Sequence, residues 1–583
     1  MTGLVTPTEP VPLAELGRVH FVGIGGAGMS GIARIMLARG AEVSGSDSGA
    51  SAALDELAAL GARVHVGHAA GQLGDADTLV VSSAIRDSNP ELAEARRRGL
   101  RVLHRAAALA SLMFGRRVIA VTGTHGKTTT TSMITTVLLE TGARPAYAIG
   151  GVLAATGTGA ADGPGADFVA EADESDGSFL MYAPDIAVVT NVEADHLDNY
   201  GTEQAYRASF GRFLAKIKPG GLLVTSADDP GAGDLAVQAR ALGLRVVTFG
   251  ESPSADYLVA NVTASGMETS LSVQSQSPSF GRIDLDLRLS VPGHHNALNA
   301  AAAFAAAVEL GIEPALAARA LASYRGAARR LEPKGEAGGV RVLDTYAHHP
   351  TELAADLRAA REVLAGTGRV IAVFQPHLYS RTRIFAAEFG AALGLADEAV
   401  VLDVYAARED PEPGVTGRLV ANAVPGGAAH YVTEFGDVPK VVAALAAPGD
   451  LVLTMGAGDI TRMGPLVLTE IAASAAGRGG ATRRRPPRRR GRHPLRARSR
   501  QRAPFRQQAL RRRPSTSGSC RAGAQPAAGA GRAGGEARPR AAAGGGAGPA
   551  GARPSSPSPG SRSWSGPPGR CSATGYSSSG RSR

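Results

Sequence analysis

The sequence predicts an α/β protein of three successive domains followed by a disordered basic tail. The first and third domains are expected to be Rossmann-like, and the middle one a P-loop ATPase type of α/β domain. Three observations predict this. Short apolar runs alternate with helix-like stretches from residue 18 to about 476, the rhythm of strand–helix–strand units. Two of those runs end in glycine-rich turns that lead into helices. After Gly477 the periodic apolar residues stop, and arginine, proline, glycine, serine and alanine take over. The expected boundaries are 1–113, 114–325, 326–477 and 478–583.

The first unit opens with a strand over 18–22, a glycine turn over 23–31, a helix to about Ala38 and a strand ending at Asp47. Gly25 and Gly26 permit the turn, and Gly28 lets a diphosphate approach the helix start, with Met29 and Ser30 following in the first turn. Asp47, about twenty residues on, stands where an acid meets a sugar hydroxyl. A dinucleotide dehydrogenase would carry the same turn, so this unit alone does not separate the two. Strands over 63–66 and 78–83 and a helix over 90–98 continue the pattern. His68 and Ser83 fall just past strand ends, where ligands gather in open α/β sheets.

The middle unit starts with the apolar strand 118–121 and the turn Gly123, Thr124, His125, Gly126, Lys127, Thr128 and Thr129, with a helix expected from Thr131 to Glu140. This is a phosphate cradle: glycines bring backbone N–H groups onto an anion, Lys127 reaches β and γ phosphates, and the Thr128 hydroxyl suits Mg²⁺. The loop is shorter than the common form, since Val121 stands where the pattern wants its first glycine. Strand 167–170 ends in Glu171, Asp173, Glu174 and Asp176, an acidic cluster suited to a hard cation. Strand 186–190 runs into His196, which suits a second cation or a phosphate. In a parallel sheet these strand ends share one edge, so the groups converge. Alternation over 257–290 predicts an antiparallel patch. An alanine-rich helix then places Asn296 and Asn299 on one face, to cap and pack or to read a base edge.

The third unit has strands over 340–343, 370–374, 399–402 and 451–454, with helices over about 350–364, 384–393 and 438–445. Polar clusters follow two of its strands: Asp344 to Glu352, with Tyr346 and His348, and Gln375 to Arg383, with Arg381. Adjacent histidines, a tyrosine and two arginines suggest recognition of carboxylate or phosphate.

The chain's net charge of +10 invites a nucleic-acid or membrane reading. Its distribution argues otherwise. Of the 62 basic and 52 acidic residues, 25 and one fall in 478–583, giving a tail of +24 and a body of −14. Both cysteines and the single tryptophan also lie in the tail. The body has no thiol for a disulfide, no basic apolar leader and no run of about 18 apolar residues. A cytoplasmic protein with no membrane and no nucleic-acid partner for its folded body is expected. A shifted reading frame in a GC-rich gene would produce such a tail, and that reading is favoured.

Taken together these strings resemble the Mur ligases of peptidoglycan synthesis, over about residues 16–470. The resemblance rests on 23–31, 123–129, 171–176, 191–198, 292–299, Arg329 and Arg330, 346–352, 375–383 and 456–459. The 171–176 and 346–352 strings are similar to the alanine-adding branch. The resemblance implies ATP-dependent amide synthesis: the carboxylate of UDP-N-acetylmuramate attacks the γ-phosphate of ATP, and L-alanine captures the acyl phosphate. It implies that Lys127 stabilises the transferring phosphoryl group, that Thr128 and Glu171 hold one Mg²⁺, and that His196 helps hold a second. Asn296 and Asn299 would face the adenine, with Arg330 and Asp344 completing the nucleotide site. The first domain would bind UDP through residues 25–30, and Tyr346, His348 and Arg381 would place the alanine. Closure of the third domain would exclude water.

The sequence departs from the family in two places. Asp344-Thr345 stands where two aspartates are usual, and Leu378 where arginine is frequent. No lysine falls between His196 and Lys216, as the alanine-adding branch implies. The alternative within the fold is a recycling ligase that attaches a preformed peptide to the same nucleotide.

Overall fold

The computed structural model describes residues 4–481 except 408 and 428. Beyond 481 the expected tail lies outside the described residues. Three sheets make up the described chain, all within one compact unit.

The first sheet has five parallel strands in the order Arg63–Val66, Val43–Asp47, Val19–Val22, Thr78–Val81, Arg101–His104. The order reverses beside Val19–Val22, so a crevice opens at that strand's carboxyl end, where the glycine turn sits. The expected strand–turn–helix–strand unit is present, with its helix over Ala27–Ala38.

The middle sheet has ten strands. Arg117–Thr122 pairs in parallel with Ile186–Val189 on one side and Asp167–Glu171 on the other. Residues alternate between two cores: Val118 and Ala120 pack to one face, Ile119 and Val121 to the other. Burial on both faces explains the unbroken apolar run that marked this strand. The alternating segment forms the antiparallel strands Tyr257–Ser265, Glu268–Ser277 and Gly281–Leu289, as expected. Apolar residues of the first domain, among them Leu16, Phe21 and Met36, share one core with Val118, Ala120 and Phe168 of the middle sheet.

The third sheet has six strands, with Val340–Thr345, Leu451–Met455, Val370–Phe374 and Glu398–Leu402 parallel in the middle. Two helix starts differ from expectation. The helix after the phosphate loop begins at Lys127 rather than Thr131, and one in the third domain begins at Tyr379 rather than Ile384. Both early turns carry polar residues, so their burial in a cleft leaves no apolar period to read. Among the described residues no helix is long and apolar enough to cross a membrane.

Candidate functional site

The carboxyl ends of the middle strands open on a cleft of about 970 Å³ lined by all three domains. Gly28 and Arg105 come from the first domain. Thr124, His125, Gly126, Lys127, Thr128, Thr129, Glu171, His196, Asn296 and Asn299 come from the middle one. Arg330, Tyr346, His348 and Arg381 come from the third.

The phosphate loop is shaped by two glycines in left-handed conformations. Gly123 has φ 125° and Gly126 φ 82°. A Cβ on Gly123 would run into the Thr190 hydroxyl, and one on Gly126 into the Asn299 amide. Lys127 opens the helix Lys127–Glu140, so its ammonium lies at the positive helix end. Its Nζ donates to the carbonyls of Gly123 and Thr124 at 2.8 and 3.0 Å and to Glu174 Oε1 at 2.9 Å.

The four acids expected to form one cation site do not converge on one point. Each has its own partner. Glu171 accepts from Thr128 Oγ1 at 3.1 Å and from the Gly150 amide at 2.6 Å. Asp173 pairs with Arg105 at 2.8 Å, Glu174 with Lys127, and Asp176 accepts from Ser83 Oγ at 2.6 Å. Glu171 and Asp173 line the cleft, whereas Glu174 and Asp176 are buried and do not. Burial pushes the Glu174 carboxyl up to about 7, with Lys127 pulling it down and Asp173 pushing it further. Arg105 and Lys127 outweigh burial at Asp173 and hold it well below the usual range.

His196 takes a left-handed conformation, φ 52°, ahead of the turn Leu197–Tyr200. Its Nε2 lies 3.6 Å from Glu174 and 3.5 Å from Asp195, and burial lowers its pKa. Asn296 and Asn299 hydrogen-bond within their own segment and also face the cleft. Asn296 donates to the Pro292 carbonyl at 2.7 Å, and Asn299 donates to Asn296 at 3.3 Å while both line the cleft.

The third domain reaches the phosphate loop through polar contacts. Arg330 donates to Thr128 Oγ1 at 3.1 Å. The Arg329 and Arg330 guanidinium groups lie 4.7 and 5.0 Å from the Tyr346 ring centre. Arg381 donates to Asp195 at 2.6 Å, both nearly fully buried. Burial lowers the His348 pKa to about 3 against the pull of Glu352. His125 Nε2 lies 3.0 Å from Glu193 and its Nδ1 3.3 Å from Glu352. Burial alone would lower the His125 pKa, but these two carboxylates raise it to about 9.

Several expected site residues sit outside the cleft lining. The Met29 side chain is buried in the first domain's core, so only its backbone is left for a ligand. Ser30 Oγ donates to the Ala27 carbonyl at 3.2 Å, and Asp47 accepts the Gly25 amide at 2.9 Å, bracing the turn. Ser83 is taken by Asp176, and its Oγ also lies 3.1 Å from His104. Asp344 is fully buried and accepts from Thr454 and Thr461 and from Arg329 at 3.3 Å, so it holds an arginine in place. The departures from the family pattern have local accounts. Thr345 donates to buried Asp356 at 2.5 Å, where a second carboxylate would face a first. Leu378 is buried with φ 70°, at the cap of Tyr379–Leu393.

Sequence reasoning missed Arg105, which opens the helix Arg105–Ser111 beside Gly28. Its signal was available: it follows the short strand Arg101–His104 at the same sheet edge. Glu193, Asp195 and Glu352 lay inside the strings but gave no sign of pairing across domains.

Three family models match in order: Mur ligase family, catalytic domain, over 18–117; Mur ligase middle domain over 121–307; and Mur ligase, glutamate ligase domain, over 329–458. The UDP-N-acetylmuramate–L-alanine ligase of Thermobifida fusca is 56% identical over 472 residues, covering 80% of this chain and 99% of the relative. That of Nocardioides sp. is 58% identical, covering 80% and 98%. The chain belongs to the Mur ligase family. Among solved Mur ligases, the UDP-N-acetylmuramate–alanine ligase of Thermotoga maritima superposes with TM-score 0.66 at 31% identity, covering 78% of this chain and 99% of that one. A murein peptide ligase from Psychrobacter arcticus gives 0.59 at 25% identity over the same shares.

Proposed function

We propose that this Mur ligase joins the lactyl carboxylate of UDP-N-acetylmuramate to the amine of L-alanine, with ATP cleaved to ADP and phosphate. The carboxylate attacks the γ-phosphorus, the β–γ oxygen bond breaks, and ADP departs. The neutral alanine amine then attacks the acyl carbon of the acyl phosphate, the acyl–oxygen bond to phosphate breaks, and the nitrogen releases one proton as phosphate leaves and the amide forms. The first step brings two anions together, so cations and N–H donors must offset their repulsion. Lys127 at the helix start, with Arg330 above Thr128, supplies that charge on the cleft wall. The observation that carries the reading is the single cleft shared by the diphosphate turn at Gly28, the phosphate loop and the third domain's arginines. The alanine ligases matched over 98–99% of their length give the amino acid. The peptide-adding alternative has a more distant solved relative behind it, at 25% identity.

In this reading 1–113 holds the sugar nucleotide, 114–325 the ATP, and 326–477 the alanine through Tyr346, His348 and Arg381. Thr128 and Glu171, oxygen donors 3.1 Å apart on the cleft wall, fit the ligand chemistry of Mg²⁺. Bound there, the ion would neutralise phosphate charge. His196 is the residue for a second ion. A cytoplasmic location goes with ATP as phosphoryl donor. The test is ADP release by the purified chain with UDP-N-acetylmuramate and L-alanine. ADP release must need both, and a tripeptide must not replace alanine; ATP cleavage that ignores either reactant overturns the reading.

A further inference from the structure

The seam between the phosphate loop and the third domain brings two histidines and a carboxylate together. One donor atom each of His125, Glu193 and His349 lie within 4.8 Å of one another. The two imidazole rings, one from each domain, have centres 4.8 Å apart. Glu193 Oε2 lies 3.0 Å from His125 Nε2. The reaction above gives Glu193 and His349 nothing to do.

His349 is 3% exposed and caps the helix Pro350–Leu364, its Nδ1 accepting from the Thr351 amide at 3.4 Å. Its Nε2 is buried with no hydrogen-bond partner among the described residues. Leaving a buried polar atom unpaired costs about 1–3 kcal/mol. An apolar side chain would pack on Phe385, 5.1 Å away between ring centres, without that cost.

The neighbours are those of a ligand set. A metal-bound imidazole commonly donates its other N–H to a carboxylate. His125 Nδ1 lies 3.3 Å from Glu352 Oε1, and Glu352 is pinned by the His348 and His349 amides at 2.9 and 3.2 Å. Glu193 Oε1 accepts from Thr351 Oγ1 at 2.8 Å, which leaves Oε2 to a ligand. Two imidazoles and a carboxylate suit Zn²⁺, whereas Mg²⁺ takes oxygen ligands such as those of Thr128 and Glu171.

We propose that His125, Glu193 and His349 bind Zn²⁺ and so bolt the third domain to the middle one. His125 faces a carboxylate at each nitrogen, so both nitrogens carry protons, and Nε2 gives its proton to the buffer on ligation. On His349 the ring proton moves to Nδ1, and the long contact with Thr351 is given up. Tetrahedral donors about 2.1 Å from zinc stand about 3.4 Å apart, so the third domain draws in by roughly an ångström. The fourth position opens on the cleft, which His125 and Glu193 line. A bound ion would hold the third domain down and slow the exchange of reactants. That consequence rests on the ligase reading; the binding does not.

The test is calorimetric titration of the metal-free full chain with ZnCl₂ in excess Mg²⁺, with Glu193→Gln, His349→Phe and Glu171→Gln beside the wild type. The wild type is expected to take up one Zn²⁺. Glu193→Gln and His349→Phe each weaken that uptake at least about tenfold, and Glu171→Gln leaves it unchanged. Co²⁺ in place of Zn²⁺ should give the strong visible absorption of a tetrahedral site in the wild type and not in His349→Phe. Zinc uptake lost in Glu171→Gln and kept in His349→Phe puts the ion at the phosphate side and overturns the proposal, as does no uptake above excess Mg²⁺. Should His349→Phe not fold, Glu193→Gln decides alone by the same ratio. Zinc that binds as expected to a chain releasing no ADP with UDP-N-acetylmuramate and L-alanine overturns the ligase reading and leaves the site standing.

Discussion

The Lys127 ammonium lies 2.9 Å from the Glu174 carboxylate, whose side chain is wholly buried. The phosphate-loop cation is thus held by a carboxylate and by two loop carbonyls. Lys127→Ala is expected to lower ligase turnover by at least about 100-fold, since it removes charge at the transferring phosphoryl group. It also strands Glu174, so melting temperature falls. Lys127→Ala with Glu174→Gln should recover much of the melting temperature and none of the turnover, which separates catalysis from folding in one ADP-release and melting series.

Gly126 cannot accept a side chain without displacing Asn299 and straining a positive φ. Gly126→Ala is expected to cost about 1–3 kcal/mol of stability. ATP affinity should fall by more than that of Gly142→Ala, a positive-φ glycine with open space around it. Nucleotide binding by calorimetry on both variants checks this.

His125 changes its proton affinity on folding from about 6.5 to about 9. A raised pKa stabilises the fold fully below about pH 6.5, and this stability is lost as pH rises through about 9. The contribution amounts to about 3 kcal/mol at its full extent. Melting temperature measured from pH 6.5 to 9.5 should fall more steeply in the wild type than in His125→Asn. Parallel curves would remove His125 from this role.

Arg381 and Asp195 form a buried ion pair between the third and middle domains. Arg381→Ala takes the guanidinium from buried Asp195, leaving it only the His196 contacts, and should cost about 3–5 kcal/mol. The KM for L-alanine should rise with it. In Arg381→Ala with Asp195→Ala, stability should return further than the alanine KM does.

The alanine ligases are matched almost end to end by 467–472 residues of this chain. A chain ended after residue 481 is therefore expected to keep wild-type turnover in the ADP assay. Intact-mass measurement of the natural product would show whether the basic segment is made.

Much of this was readable from one sequence because the responsible features are local. The phosphate loop needs glycines at Gly123 and Gly126 for backbone reasons, and both-face burial makes Val118–Val121 uniformly apolar. The antiparallel patch showed through period-two alternation. Other features were not readable, because they depend on which residues meet across the chain. Nothing adjacent to Glu193 reveals that it meets His125 and Thr351, and the run Glu171–Asp176 looked like one cation site although each acid serves different partners. The inward turn of the Met29 side chain was not readable for a related reason: Gly28 and Ser30 on either side of it give no apolar period.

The three domains are not joined alike. The first and middle share a continuous apolar core, whereas the third meets the middle one through the polar pairs Arg330–Thr128, Glu352–His125, Thr351–Glu193 and Arg381–Asp195, with Met267 packing against its core. Parting apolar surface costs about 25 cal/mol for every Å² exposed, while polar pairs can trade partners with water for far less. Opening of the cleft is therefore expected where the third domain meets the other two, with the first and middle domains staying fixed to each other as a single anvil.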